Sequence, residues 1–171
     1  GYMDRNFTLE NAHAIEDAGA SWLTVHARTK AEGYTPPAYW DQLKPIREAL
    51  KINVIANGEI WNNNDAKQCQ IESGCEDLMI GRGAVTTPDI TQCIRQNTNE
   101  PLLEWNELLA LQIRFLNGSY KKEMNMVGRY KQWLGMMSKH YPEAKELWGQ
   151  VKRLKKIDEV LVQLQSSTSN K

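Results

Sequence analysis

Val54-Ile55-Ala56-Asn57-Gly58-Glu59-Ile60 is a short apolar run that stops at a glycine set between an amide and a carboxylate. Leu78-Met79-Ile80-Gly81-Arg82-Gly83-Ala84 repeats that form 24 residues later. Apolar runs without polar alternation read as strands buried on both faces, which implies a parallel sheet with helices outside it. The polar ends then fall at the carboxyl edge of the sheet, where parallel α/β folds bind ligands.

Working outward, the pattern before and between these runs alternates helix and strand. Thr8 reads as the N-cap of a helix Leu9–Ala18 stopped at Gly19, and Ser21–His26 reads as a strand. Ala27–Tyr39 is a long loop with Gly33, Tyr34 and Pro36-Pro37. Asp41 is placed to cap a helix Gln42–Leu50, with Pro45 near its first turn. Asn53–Asn57 is the next strand, Asp65–Glu72 a helix stopped at Gly74, Glu76–Ile80 the last strand and Asp89–Gln96 a further helix. Three βα units are too few to close a barrel, which needs eight. Residues 1–98 are therefore expected to be the last part of a (β/α)8 TIM barrel whose front is absent, consistent with a chain that begins at Gly1.

From Glu104 only helices are expected, so residues 99–171 are assigned to a helical domain. Trp105–Leu116 carries apolar residues at helical spacing, and Lys122–Lys139 carries Met126, Val127, Tyr130, Trp133, Leu134 and Met137 as one buried stripe. A third helix starts near Pro142-Glu143 and a fourth covers Asp158–Gln165; Ser166–Lys171 is expected to fray.

Composition bounds the function. The 171 residues are 41% hydrophobic and 25% charged, an ordinary globular balance without a membrane-length apolar run. A cytoplasmic protein without a membrane partner is expected. Three cysteines, Cys69, Cys75 and Cys93, lack metal-ligand spacing, so no metal site is expected. Net charge is zero but uneven: residues 1–100 carry 9 Lys+Arg against 14 Asp+Glu, and residues 101–171 carry 12 against 7. The basic second part suits a polyanion, although an ordinary solvated helical surface would show the same excess.

Chemistry concentrates at the strand ends. Asn57-Gly58 and Gly81-Arg82-Gly83 let backbone amides approach a ligand, and Arg82 adds a fork of donors for phosphate. Glu59 would repel phosphate, so it either accepts from a ribityl hydroxyl or fixes the loop. His26 ends a strand at the same depth and should face the same mouth, followed by Arg28 and Lys30. His13 and His140 read as surface residues.

VHARTKAEGY, VIANGEIW, GCEDLMIGRGAVTTP and the helical GRYKQWL together resemble the tRNA-dihydrouridine synthase family, and within it the C-type, which acts on uridine 16 of the D-loop. The likeness runs along nearly the whole chain. It implies an FMN-binding barrel with a helical tRNA-binding domain, reducing a uridine to dihydrouridine with NADPH, and a monomer when full length. It implies that His26 lies against the flavin ring, that Asn57, Gly58 and Glu59 hold the ribityl-phosphate arm, and that Gly81 and Arg82 bind its phosphate. Tyr34 would approach the RNA, and Arg129, Lys131, Met136 and Lys152 would face it. Met136 reads as core on its own pattern, so its RNA role rests on the resemblance alone. Lys121, Lys122, Lys139, Arg153, Lys155 and Lys156 extend the basic set. The family's cysteine acid and its FMN-binding lysine match nothing here, so no catalytic residue is assigned and an isolated chain of this length is expected to be inactive. Other classes stay open: a different FMN or phosphosugar barrel enzyme, or a non-catalytic RNA-binding fragment.

Overall fold

The computed structural model describes residues 5–118 and 123–168. Lys121 and Lys122 of the basic set lie outside them, as does the end of the polar tail. The element order is α1 (Thr8–Asp17), β1 (Trp22–His26), α2 (Lys44–Ala49), β2 (Asn53–Asn57), α3 (Asn63–Ser73), β3 (Leu78–Met79), α4 (Arg82–Thr86) and α5 (Ile90–Arg95). Four longer helices follow: α6 (Trp105–Leu116), α7 (Glu123–Met137), α8 (Pro142–Val151) and α9 (Ile157–Thr168). Short 3-10 turns at Arg5–Phe7 and Trp40–Leu43 precede α1 and α2. The chain divides into two compact units, residues 1–84 with 90–100, and residues 85–89 with 101–171.

The first unit is an α/β layer. Its three strands are parallel, in the order β1-β2-β3, with Trp22 opposite Asn53, His26 opposite Asn57, and Asn57 opposite Met79. Registered residues share a face. Leu23, Val25, Val54, Ala56 and Leu78 therefore point one way, into a core with Leu43, Ile46 and Ala66. Val54 and Ala56 are 0% exposed. The opposite face carries Trp22, Thr24, Ile55 and Met79, and Trp22 and Met79 are 63% and 49% exposed. The expectation of strands buried on both faces is thus corrected: helices cover one face only. A groove of about 480 Å³ runs along the outer edge of β1, lined by α1, the strand and the start of α2. An unpaired strand edge offers a row of backbone groups to an added strand.

Local chemistry explains several boundaries. Asn62 caps α3 through Oδ1, which accepts the Asp65 N–H at 2.9 Å, so the helix starts two residues before the expected Asp65. It ends at Gly74 with φ 68°, a left-handed stop that glycine takes without Cβ strain. Thr8 is the first residue of α1 and makes no side-chain cap. Asp41 sits inside the 3-10 turn and takes a bond from Gln42 Nε2 at 2.7 Å, so α2 starts at Lys44 with Pro45 in its first positions. β3 is only Leu78–Met79, shorter than the expected Glu76–Ile80.

The second unit is helical. The expected bounds of α6 are met, and Glu104 and Glu107 form a reciprocal capping box at its start. Leu108, Leu109, Tyr130, Leu134, Met137, Leu147, Val151, Val160 and Leu164 make the core. Buried in it, Tyr130 donates its hydroxyl to Gln112 Oε1 at 2.9 Å, and burial pushes that phenol's pKa up. Asp89 Oδ2 accepts the N–H groups of Leu102 and Leu103 at 2.5 and 2.8 Å, and Trp133 Nε1 donates to Val85 O at 2.9 Å, which explains why residues 85–89 belong with the helices. No helix among the described residues is long and apolar enough to cross a membrane.

The two glycines around Arg82 differ. A Cβ on Gly83 would lie 2.1 Å from the Ile60 carbonyl oxygen, whereas one on Gly81 would meet nothing within 4 Å. Gly83→Ala is expected to cost about 2–3 kcal/mol through forced backbone movement, and Gly81→Ala less than about 1 kcal/mol. Urea unfolding of the two variants checks the difference.

Candidate ligand site at the strand tips and a basic helical turn

Parallel register brings His26, Asn57 and Met79 side by side at the carboxyl ends of β1, β2 and β3. They share the open face of the sheet. His26 Nδ1 lies 2.6 Å from Asn57 Oδ1, and Asn57 Nδ2 donates to Met79 O at 2.7 Å. Ala27 N–H extends the ladder by donating to Asn57 O at 2.8 Å.

Beyond the tips the chain turns sharply at Gly58 (φ 132°) and Glu59 (φ 53°). The positive φ at Glu59, unusual for a residue with a Cβ, is held from several sides. Trp40 Nε1 donates to Gly58 O at 2.8 Å. Glu59 Oε2 accepts from Trp61 Nε1 at 2.9 Å, while Oε1 lies 2.7 Å from Arg28 Nη2 and 2.5 Å from Arg82 Nη2. Of the two alternatives for Glu59, its contacts are those of a residue that fixes the loop.

Arg28 is buried, with its Nε donating to Pro37 O at 3.1 Å across a cis Pro36-Pro37 bond. Its Nη2 meets Glu59 at ion-pair distance but off the hydrogen-bond angle, and its buried Nη1 has no hydrogen-bond partner among the described residues. Arg82 is partly exposed, its guanidinium 4.8 Å from the Tyr34 ring centroid and 5.1 Å from that of Trp61. Both are cation–π distances. Tyr34 itself is 74% exposed. The structure therefore gathers His26, Tyr34, Asn57, Gly58, Glu59 and Arg82 at one sheet edge, with Gly81 next to Arg82. The helix that follows, α4, has only five residues and adds little dipole.

Sequence reasoning gave no role to Arg28, Trp40 and Trp61, which brace this edge. The signal for Arg28 was its spacing of two from His26. Trp40 was hidden because its partner, Gly58, is 18 residues away in the chain.

In the helical unit, Lys131 Nζ donates to Lys152 O at 2.9 Å and Leu154 O at 2.5 Å. It closes the C-terminal end of α8, where unpaired carbonyls and the dipole favour a cation. Lys152, Arg153, Lys155 and Lys156 are exposed around that turn, and Arg129 is exposed on α7. Met136 is half-buried. Among the described residues no group of three or more His, Cys, Asp or Glu could hold a metal ion. Cys69, Cys75 and Cys93 are buried and form no disulfide among the described residues; burial pushes Cys69 to about 12 and raises Cys75.

The family model described as dihydrouridine synthase matches residues 3–170. The chain belongs to the dihydrouridine synthase family. Its relatives carry the name tRNA-dihydrouridine(16) synthase. The chain is similar to that of Shewanella oneidensis, with 40% identity over 94% of this chain and 51% of the relative. It is 42% identical to the Neisseria meningitidis serogroup B protein over 94% of this chain and 50% of the relative. For the Pseudomonas syringae protein the values are 39%, 99% and 55%. The chain spans about half the length of these dihydrouridine synthase relatives.

Two expectations follow. Burial pushes the Glu59 carboxyl up, but the close Arg28 guanidinium, the bond from Trp61 and the charge of Arg82 outweigh it, leaving the group below its usual 4.5. A depressed carboxyl stabilises the loop above the unfolded pKa and loses that contribution as pH falls through the folded value. Tryptophan fluorescence should therefore change below about pH 4.5 in the parent and lack that step in Glu59→Gln. In the second unit, Lys131→Met should lower stability by about 1 kcal/mol by leaving two carbonyls to water, read as a lower urea midpoint.

Proposed function

We propose that this chain supplies the phosphate half of a flavin site and the RNA-holding arm of a tRNA-dihydrouridine synthase of the uridine-16 type. The first unit is then the last part of a TIM barrel, and the second its tRNA-binding domain. The observation that carries the reading is the convergence of His26, Asn57, Gly58 and Arg82 at one strand edge in a chain of this family. The donor set suits an anionic cofactor: two guanidinium groups share one carboxylate, and buried Arg28 Nη1 has no hydrogen-bond partner among the described residues.

In this reading FMN, recharged by NADPH, supplies hydride to the uracil ring. Arg82 and the Gly81 backbone hold its phosphate, Asn57, Gly58 and Glu59 shape the ribityl path, and His26 lies against the ring. Glu59 acts mainly by orienting the two arginines. Stacking between Tyr34 and Trp61 aims Arg82 before a phosphate arrives. Tyr34, exposed beside the site, is placed to meet RNA. The buried cysteines face the core, so none is assigned as the acid that protonates the substrate carbon.

Arg129, Met136 and Lys152 form the proposed RNA contacts, with Lys131 supporting them from beneath the turn. Lys131 acts there by holding the turn that presents Lys152, Arg153, Lys155 and Lys156, because its own ammonium is committed to carbonyls. Met136 contributes the apolar edge of that surface.

Flavin fluorescence titration tests the first half: FMN should bind, and Arg82→Gln should weaken it about tenfold, the loss of one charged hydrogen-bonding fork. Filter binding of tRNA at a series of salt concentrations tests the second. Replacing Lys152, Lys155 and Lys156 by Gln should reduce the log–log salt slope by roughly 2 to 3, about one per lost phosphate contact. Unchanged FMN affinity in Arg82→Gln, or an unchanged slope, refutes the corresponding half.

A further inference from the structure

The row across the strand tips defines more than proximity. Met79 O is a carbonyl and can only accept, so the Asn57 atom 2.7 Å from it must be the amide NH2. That fixes the orientation of the Asn57 amide and leaves its Oδ1 facing His26. Oδ1 can only accept as well, so the His26 nitrogen 2.6 Å away must carry a hydrogen. A neutral imidazole bears one N–H, and here it is committed to Nδ1.

We infer that Asn57 is a positioning residue that locks the neutral His26 ring in its Nδ1–H tautomer, so that Nε2 on the far side of the ring meets a ligand as a hydrogen-bond acceptor. The ligand group it takes is an N–H or O–H donor, and a bare carbonyl or phosphate oxygen opposite Nε2 is disfavoured while the ring is neutral. Asn57 thus acts on the ligand through His26. Its two bonds tie three adjacent strands, β1 to β2 and β2 to β3, so the tautomer is set by the sheet register. Gly58 follows at φ 132°, a backbone angle that side chains rarely adopt, and a Cβ there would sit at ordinary van der Waals distance, 3.6 Å, from His26 Cε1. The inference rests on the flavin reading only for the identity of the ligand, since the lock itself belongs to the free protein.

Long-range 15N–1H correlation of the histidine rings tests it at about pH 8.5, where an ordinary imidazole is neutral. The His26 signals, assigned by their loss in His26→Gln, should show a protonated Nδ1 and a bare Nε2. The opposite pattern in the parent protein overturns the proposal. Asn57→Ala should give a mixture of tautomers, and Asn57→Asp, which keeps the acceptor, should restore Nδ1–H. An unchanged Nδ1–H signal in Asn57→Ala, or its loss in Asn57→Asp, overturns the role of Asn57. The parent and the Asp variant decide the question if the Ala variant fails to fold. FMN added to the parent should move the Nε2 resonance together with the Gly81 amide. If Gly81 moves and Nε2 does not, the acceptor role is refuted. If neither moves, the flavin reading falls, while the tautomer lock stands or falls on the ligand-free spectra.

Discussion

One carboxylate holds the strand-tip edge together. Glu59 takes Arg28 from the loop after β1, Arg82 from the start of α4, and the indole of Trp61 two residues on. It does so from a backbone angle that a residue with a Cβ seldom occupies. A partly buried carboxylate beside two guanidinium groups is favoured in its charged form despite its burial, and that charge offsets the cost of burying Arg28. Without it, the loops after all three strands would lose their common anchor. The position of Arg82 depends on it directly, and Tyr34 meets it through the Arg82 guanidinium.

The two units solve the same problem differently. The helical unit builds its core largely from Leu, Val, Tyr and Met and buries the Gln112–Tyr130 hydrogen bond within it. The α/β unit clothes one face of its sheet and leaves the other to Trp22, Ile55 and Met79. That bare face carries His26 and Asn57 at its end, so the geometry that exposes apolar surface is the same geometry that exposes the polar row. Apolar area left facing water is a standing cost of roughly 25 cal/mol per Å² relative to cover.

Much of this was legible in the chain. The runs Val54–Ile60 and Leu78–Ala84 gave parallel strands ending at glycine, because a buried strand interior leaves little choice but apolar residues. The bounds of α6 were legible because Glu104 and Glu107 cap it and its apolar spacing is regular. Burial on both faces was not legible correctly: Ile55 reads as buried in any parallel sheet, and only coordinates tell which face lacks a layer. Nor was the brace made by Arg28 and Trp40, since side-chain contacts over 18 to 31 residues leave no periodic trace. Lys131 illustrates the limit for charge. It counted as one more cation for RNA, and its ammonium is in fact tied to two carbonyls of its own unit.

The two aromatic rings against Arg82 have an energetic consequence of their own. A free arginine side chain carries about 2 kcal/mol of rotamer entropy, which a binding partner must ordinarily freeze out. Set against Tyr34 and Trp61 and tethered to Glu59, this one has given up part of that freedom during folding. An arriving anion meets a side chain already aimed, so the gain shows as tighter capture without any additional contact.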